Sequence, residues 1–220
     1  MDYTKPTLLV ISGPNGAGKS THIESMLPEL FDGVPPFDRD LTRTHFEREL
    51  HGKGLTQEEV SSQSSSMMEE YLSTKINEAI ANKQHFVLET PLSHPDYWKY
   101  IDRFERDDYQ IQLNYLCLDS VLHCEQRVRQ RVREGGHAVD ARTIKGVYEQ
   151  NLKFINDYWD TFNVVCLYDG MSVPTLLVRL EERKIVMVDK NALKKMWLKK
   201  GLPLIASLVL EFKGSKKNSS

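Results

Sequence analysis

Residues 13–20 read Gly-Pro-Asn-Gly-Ala-Gly-Lys-Ser, and no other segment constrains this chain so tightly. They fit the Walker A pattern G-x-x-x-x-G-K-[ST]. The short apolar run Thr7–Ser12 precedes them, and a helical pattern over Lys19–Leu30 follows. Strand, glycine-rich turn and helix in that order make an anion cradle, because glycines let successive backbone N–H groups point inward around a phosphate. Gly13, Pro14, Asn15, Gly16, Ala17, Gly18, Lys19, Ser20 and Thr21 are therefore the expected nucleotide contacts. Lys19 would reach the β- and γ-phosphates of ATP, and Ser20 would offer its hydroxyl to Mg²⁺. At ordinary composition a chance match has odds on the order of one in a hundred. The flanking strand and helix lower those odds again.

Similar loops open transporter-type ATPase cassettes. Those carry a Leu-Ser-Gly-Gly-Gln-like signature and an apolar strand ending Asp-Glu. This chain has no such signature, and its strand over His85–Leu88 runs into Glu89-Thr90-Pro91.

Strand and helix patterns alternate along the rest of the chain. Pro35–Asp38 reads as a short second strand or loop. Thr56 with Glu59 is a capping box that opens a long helix carrying Val60, Met67, Met68, Leu72, Ile76 and Ile80. Strands are expected at His85–Glu89, Tyr109–Leu118 and Asn163–Tyr168, with a final one at Lys184–Val188. Helices are expected at Pro95–Arg106, Ser120–Glu134, Thr143–Thr161 and Asn191–Lys200. This alternation predicts an α/β, three-layer, kinase-like P-loop fold. Its sheet would be mainly parallel, with five or six strands and helices on both faces. Residues 1–188 form the expected kinase domain, and residues 189–220 a basic C-terminal helical extension and tail.

Ligands of such sheets bind at the carboxyl ends of the strands. Asp38-Arg39-Asp40 ends the second strand and offers two carboxylates to take the proton of an attacking hydroxyl. An Asp at this place also serves as a helix cap. Glu89 ends the next strand, where a carboxylate can hold a metal or a substrate hydroxyl, and Thr90 beside it can bond the acceptor. Arg127 and Arg131, four residues apart, share a helix face that can point at a triphosphate. Gly135-Gly136 either ends that helix or hinges a closing lid, and His137 follows as a hydrogen-bonding or capping residue.

Composition narrows the function classes. With 40% hydrophobic and 27% charged residues the chain can bury a core. Cys117, Cys124 and Cys166 contain no Cys-x-x-Cys pair, which leaves no disulfide framework or zinc site and favours a reducing compartment. The N-terminus has no charged-then-apolar signal pattern. The longest apolar stretch, Leu202–Leu210, holds Pro203 and Ser207 and falls far short of about 20 residues, so a cytoplasmic protein without membrane spans is expected. After residue 182 ten Lys/Arg face two acidic residues, a net +8, which leaves −10 on residues 1–182. A basic tail can engage nucleic acid or an acidic partner, but the acidic body argues against nucleic acid.

Together these segments resemble the zeta toxin family of P-loop kinases, in the branch described as zeta-toxin-like or predicted ABC-type ATPases. The resemblance runs from about Thr7 to Val188. It rests on Gly-Pro-Asn-Gly-Ala-Gly-Lys-Ser-Thr, Phe37-Asp38-Arg39-Asp40, Phe86-Val87-Leu88-Glu89-Thr90, and the stretch from Arg127 through Gly135-Gly136-His137-Ala138-Val139. Tyr148, Asn151-Leu152 and the strand ending Leu167-Tyr168-Asp169 add to it. The string Arg-Val-x-x-Arg-Val-x-x-Gly-Gly-His is the piece specific to the branch.

The resemblance implies a small kinase that uses ATP and Mg²⁺ to phosphorylate a sugar hydroxyl of UDP-N-acetylglucosamine, with an antitoxin as a possible partner. It also implies that Lys19 and Ser20 hold phosphate and metal, and that Asp40 is the catalytic Asp, with Asp38 two residues away as the alternative. Glu89 matches the acidic residue that positions acceptor or metal, and Arg131 a phosphate-directed arginine.

Two departures stand out. Ile144-Lys145-Gly146-Val147-Tyr148 replaces the usual Ile-Arg-Arg-Arg-Tyr, leaving Lys145 or Arg142 in place of an arginine finger. Asp169-Gly170-Met171 replaces Asp-Asn-Ser. A reading of a different class makes the chain a nucleotide-dependent regulatory ATPase whose basic segment engages nucleic acid or a protein partner.

Overall fold

The computed structural model describes residues 4–136 and 138–217. His137 and the last three residues of the expected tail lie outside the described residues. Among the described residues seven strands form one sheet, in the order β2-β3-β1-β4-β5-β6-β7. The strands are β1 (Thr7–Ser12), β2 (Phe37–Asp38), β3 (Phe86–Glu89), β4 (Gln110–Cys117), β5 (Val164–Asp169), β6 (Thr175–Glu181) and β7 (Lys184–Val188). The first five in spatial order, β2 to β5, run parallel. β6 and β7 are added antiparallel at the β5 edge. Every residue of β1 is buried, and so is nearly every residue of β4, as a sheet covered on both faces requires.

The hairpin β6–β7 raises the strand count above the five or six expected and carries the one strand, β6, that the sequence pattern did not single out. Its two-residue turn is Glu182-Arg183, both at positive φ (45° and 63°). That is the geometry a tight hairpin needs, made without the Asn-Gly or Gly residues that normally announce it.

The helices are α1 (Lys19–Met26), α2 (Arg39–Leu50), α3 (Gln57–Ala81), α4 (Trp98–Arg106), α5 (Val121–Arg133), α6 (Ala141–Tyr158), α7 (Met196–Gly201) and α8 (Pro203–Lys217). Helix α1 is shorter than its apolar pattern suggested, because Leu27 before Pro28 turns extended. Helix α3 opens on the anticipated capping box, with Thr56 and Glu59 bonding each other's backbone N–H. The segment over 189–217 packs part of its length into the core. Trp197, Leu198, Leu202, Ile205 and Val209 join the same hydrophobic core as β1 and β4, and the Trp197 ring meets Tyr115 of β4 at 6.0 Å.

Among the described residues no helix is long and apolar enough to cross a membrane. All three cysteines are buried and unbridged. Burial pushes the Cys124 thiol up to about 12, so it stays protonated and unreactive at neutral pH.

Because β1 to β5 are parallel, their carboxyl ends lie along one edge. Register sets Asp38 directly beside Glu89, and Ile11 on the other side of Glu89. The chain leaves β1 towards β2 on one side, while β4 leads to β5 on the other, so the loop after β1 sits where the winding direction changes.

Candidate active site

The loop between β1 and α1 is shaped by close approach. A Cβ on Gly13 would run into the Leu116 carbonyl, and one on Gly16 (φ 78°) would lie 2.7 Å from the Cys124 carbonyl oxygen. Only glycine lets β4 and α5 pack this tightly against the loop. Inside it Ala17 N–H donates to Pro14 (3.2 Å), and Gly18 accepts from His22 N–H (3.1 Å). The loop thus delivers the N-terminus of α1, with its unpaired amides, to the sheet edge.

Four side chains converge there. Lys19 Nζ donates to the carbonyls of Gly13 (3.0 Å) and Pro14 (3.4 Å) and stands 3.8 Å from Glu89 Oε1. Ser20 Oγ lies 3.2 and 3.1 Å from the two Glu89 oxygens and 3.4 Å from Asp38 Oδ2. The other Asp38 oxygen accepts Leu41 N–H at 2.9 Å, so Asp38 also caps α2. The helix-cap reading of this residue is met by that bond, while its other oxygen faces Ser20 at the sheet edge. Asp40, in the first turn of α2, is exposed and its carboxylate makes no hydrogen bond among the described residues.

Glu89 is buried, and burial pushes its carboxyl above the ordinary value. Lys19 and the Ser20 bond oppose that rise, while the charges of Asp38 and Asp40 add to it. Because the folded carboxyl titrates above its unfolded value, the associated stability is present in acid and lost as pH rises through the folded value. Glu89→Gln removes that loss. The ligand-free variant is expected to melt above the wild type at neutral pH, with the two curves converging in acid, and to bind Mg²⁺–ATP more weakly. Coincident melting at neutral pH would show that Glu89 ionises there without penalty.

Arg127 of α5 reaches the loop from the other side. Its Nη2 donates to the Met171 carbonyl (2.9 Å) and its Nη1 to the Ala17 carbonyl (3.4 Å). Arg131, one turn on, is exposed. Gly135 at φ 89° and the bonds Gly136 N–H to Arg131 (2.9 Å) and Gly135 N–H to Val132 (3.1 Å) close α5 in a Schellman cap. The glycine pair here ends the helix. Thr90 is buried, with its hydroxyl on the Pro91 carbonyl (3.4 Å), and Thr21 is exposed on α1. Lys145 pairs with Glu149 at 3.8 Å on an exposed face of α6.

Arg39 escaped notice in the sequence, where it is one charge among three. It is buried, pairs with Glu69 of α3, and lies over the rings of Tyr97 and Tyr100 at 4.9 and 5.2 Å. Those contacts pin the first turn of α2 to α3 and α4 and so hold Asp38 and Asp40 in place. Only its position between the two candidate aspartates hinted at this.

Residues 1–169 match the model of the family described as Zeta toxin. Among solved structures, AvrRxo1-ORF1:AvrRxo1-ORF2 with sulphate ions and the same pair with ATP each give a TM-score of 0.67 at 15% identity. Each match covers 86% of this chain and 62% of the neighbour, so the chain spans less than two thirds of those proteins. The PezAT chromosomal toxin–antitoxin system of Streptococcus pneumoniae gives 0.58 at 15% identity, covering 93% of this chain and 87% of that one. No curated protein sequence matches. At such identities the structural likeness shows the fold, and the site's chemistry rests on its own residues.

Proposed function

Since the chain belongs to the zeta toxin family, we propose that it is an ATP-dependent kinase that transfers the γ-phosphoryl group to a hydroxyl of a nucleotide sugar of the UDP-N-acetylglucosamine kind. One observation carries the reading. A phosphate loop, a lysine, a serine hydroxyl and two strand-end carboxylates meet at one point of the sheet edge. The neighbour solved with ATP supports the choice of nucleotide.

In this reading the loop amides and Lys19 hold the β- and γ-phosphates. Ser20 Oγ and the oxygens of Glu89 and Asp38 form a compact all-oxygen donor set that fits Mg²⁺. When bound, Mg²⁺ supplies charge that offsets what builds up on the phosphate oxygens. Asp40 accepts the proton of the acceptor hydroxyl as its oxygen bonds to the γ-phosphorus. The bond from that phosphorus to the bridging oxygen breaks, and ADP leaves. Asp40 suits the task because its carboxylate is exposed, whereas Asp38 is engaged by Leu41 N–H and Ser20. Arg127 lies beside the loop with its guanidinium on the Ala17 and Met171 carbonyls, and Arg131, one turn further along α5, is the second phosphate-directed arginine of this reading. Glu89, at the end of β3, and Thr90 after it are assigned to the acceptor in the same reading. By likeness to the PezAT system, an antitoxin partner belongs to the same reading.

The test is a panel of nucleotide sugars incubated with ATP, Mg²⁺ and the full chain, with products read by mass spectrometry. A nucleotide sugar heavier by one phosphoryl group, missing when Lys19→Ala is used, is the expected result. Phosphorylation confined to acceptors of another class would overturn the assignment of substrate.

A further inference from the structure

The carboxyl ends of β4 and β5 carry a second charged cluster that the proposed chemistry does not use. Lys195 Nζ lies 2.7 Å from Asp169 Oδ2 and 3.1 and 3.3 Å from the two oxygens of Asp119. Asp169 ends β5 opposite Cys117, and Asp119 lies two residues past the end of β4, so both carboxylates reach the same lysine at the ends of neighbouring strands. Lys195 is the cation between them. It comes from the segment beyond residue 169, where the family match ends.

We propose that Lys195 is a positioning residue of the nucleotide site, acting through Asp169 and Met171 on Arg127 and the phosphate loop. The contacts are continuous. Asp169 Oδ1 accepts Met171 N–H (3.3 Å) while its other oxygen takes Lys195. Gly170 N–H donates to Cys117 (2.8 Å), and Asp119 N–H points at the Met171 sulfur (3.5 Å). The Met171 carbonyl then receives Arg127 Nη2 (2.9 Å), whose Nη1 reaches Ala17 inside the loop (3.4 Å). The turn lies so close to the loop that a Cβ on Gly170 would sit 3.2 Å from the Ala17 carbonyl oxygen.

Lys195 is well placed to set this turn. Its side chain is 18% exposed, and Asp169 is 16% exposed. The next two core positions, Trp197 and Leu198, are buried and anchor its backbone. Burial works against the ammonium, yet the bonds to Asp169 and Asp119 hold it protonated above the ordinary lysine range. Without the cation, two close carboxylates repel across the strand ends, and the turn that seats Arg127 loses its anchor.

The inference rests on Gly13–Ser20 being an ATP site, and calorimetric titration of the full chain with ATP and Mg²⁺ separates the two claims. The wild type binds ATP if the site is read correctly; no binding would overturn that reading and this relay with it. With binding established, Lys195→Met is expected to weaken ATP by about tenfold, within the range through which such contact chains act. Adding Asp119→Asn removes one of the two opposed charges and should restore most of the affinity. Val209→Ala, a core truncation in α8 outside the relay, should lower the melting temperature and leave the affinity of the folded protein unchanged. A folded Lys195→Met protein with wild-type ATP affinity would overturn the proposal. Should that variant not fold, Asp169→Asn reads the same relay, and unchanged ATP affinity there would overturn it equally.

Discussion

Lys19→Ala is expected to lower phosphoryl transfer by at least about a hundredfold, the loss typical of removing one charge-stabilising donor from a transferring group. The ammonium is the only cation among the described residues recorded within 4 Å of Glu89, and it is seated on two carbonyls of the loop. Those carbonyls keep it aimed at the space the loop encloses, so little reorganisation is needed when phosphate arrives. The fold should survive, because truncation removes no core contact. Deleting Lys19 also removes the charge that holds the Glu89 carboxyl down, so burial and the two aspartates push it higher still. The variant should therefore bind Mg²⁺–ATP poorly as well as turn over slowly. Initial rates, ATP titration and melting curves on the same preparation check all three. A folded variant with wild-type rate would remove Lys19 from the chemistry.

Asp40→Asn is the second large effect. Loss of a general base is expected to lower kcat by about 10²–10⁴-fold, with ATP binding little changed. Asp38→Asn should behave differently. Asn caps helices as well as Asp does, so α2 keeps its N-terminus, but the oxygen facing Ser20 loses its charge. That variant should need more Mg²⁺ for half-maximal rate and lose less of kcat when Mg²⁺ saturates. The pair of titrations separates the roles of two carboxylates that are two residues apart. Near-wild-type kcat in Asp40→Asn, together with collapse in Asp38→Asn, would assign the base to Asp38.

The loop, the strand-end carboxylates and the arginine helix were legible in the sequence because each is local. Glycines, a lysine and a serine at fixed spacing after an apolar run can form one structure, and it places Asp38 and Glu89 on the same sheet edge. What sequence could not show depends on contacts between distant segments. Arg39 becomes a buried anchor only when α3 brings Glu69 and α4 brings Tyr100 to it. Glu182-Arg183 takes a left-handed turn without glycine, so β6 had no hairpin signal. Lys195 reads as one more charge in a basic tail until the fold sets it between Asp119 and Asp169. The glycine pair after Arg133 fits a hinge or a cap by sequence, and the bonds from Gly135 and Gly136 back into α5 identify the cap.

In the proposed reaction the γ-phosphoryl group is handed to a hydroxyl acceptor and is not merely released. The most direct measurement follows labelled γ-phosphate from ATP in the presence of Mg²⁺, the full chain and a nucleotide sugar. Label is expected on the acceptor, in step with ADP formation and absent with Asp40→Asn. Label appearing only as inorganic phosphate, at a rate no acceptor changes, would contradict it and make the chain a nucleotide hydrolase.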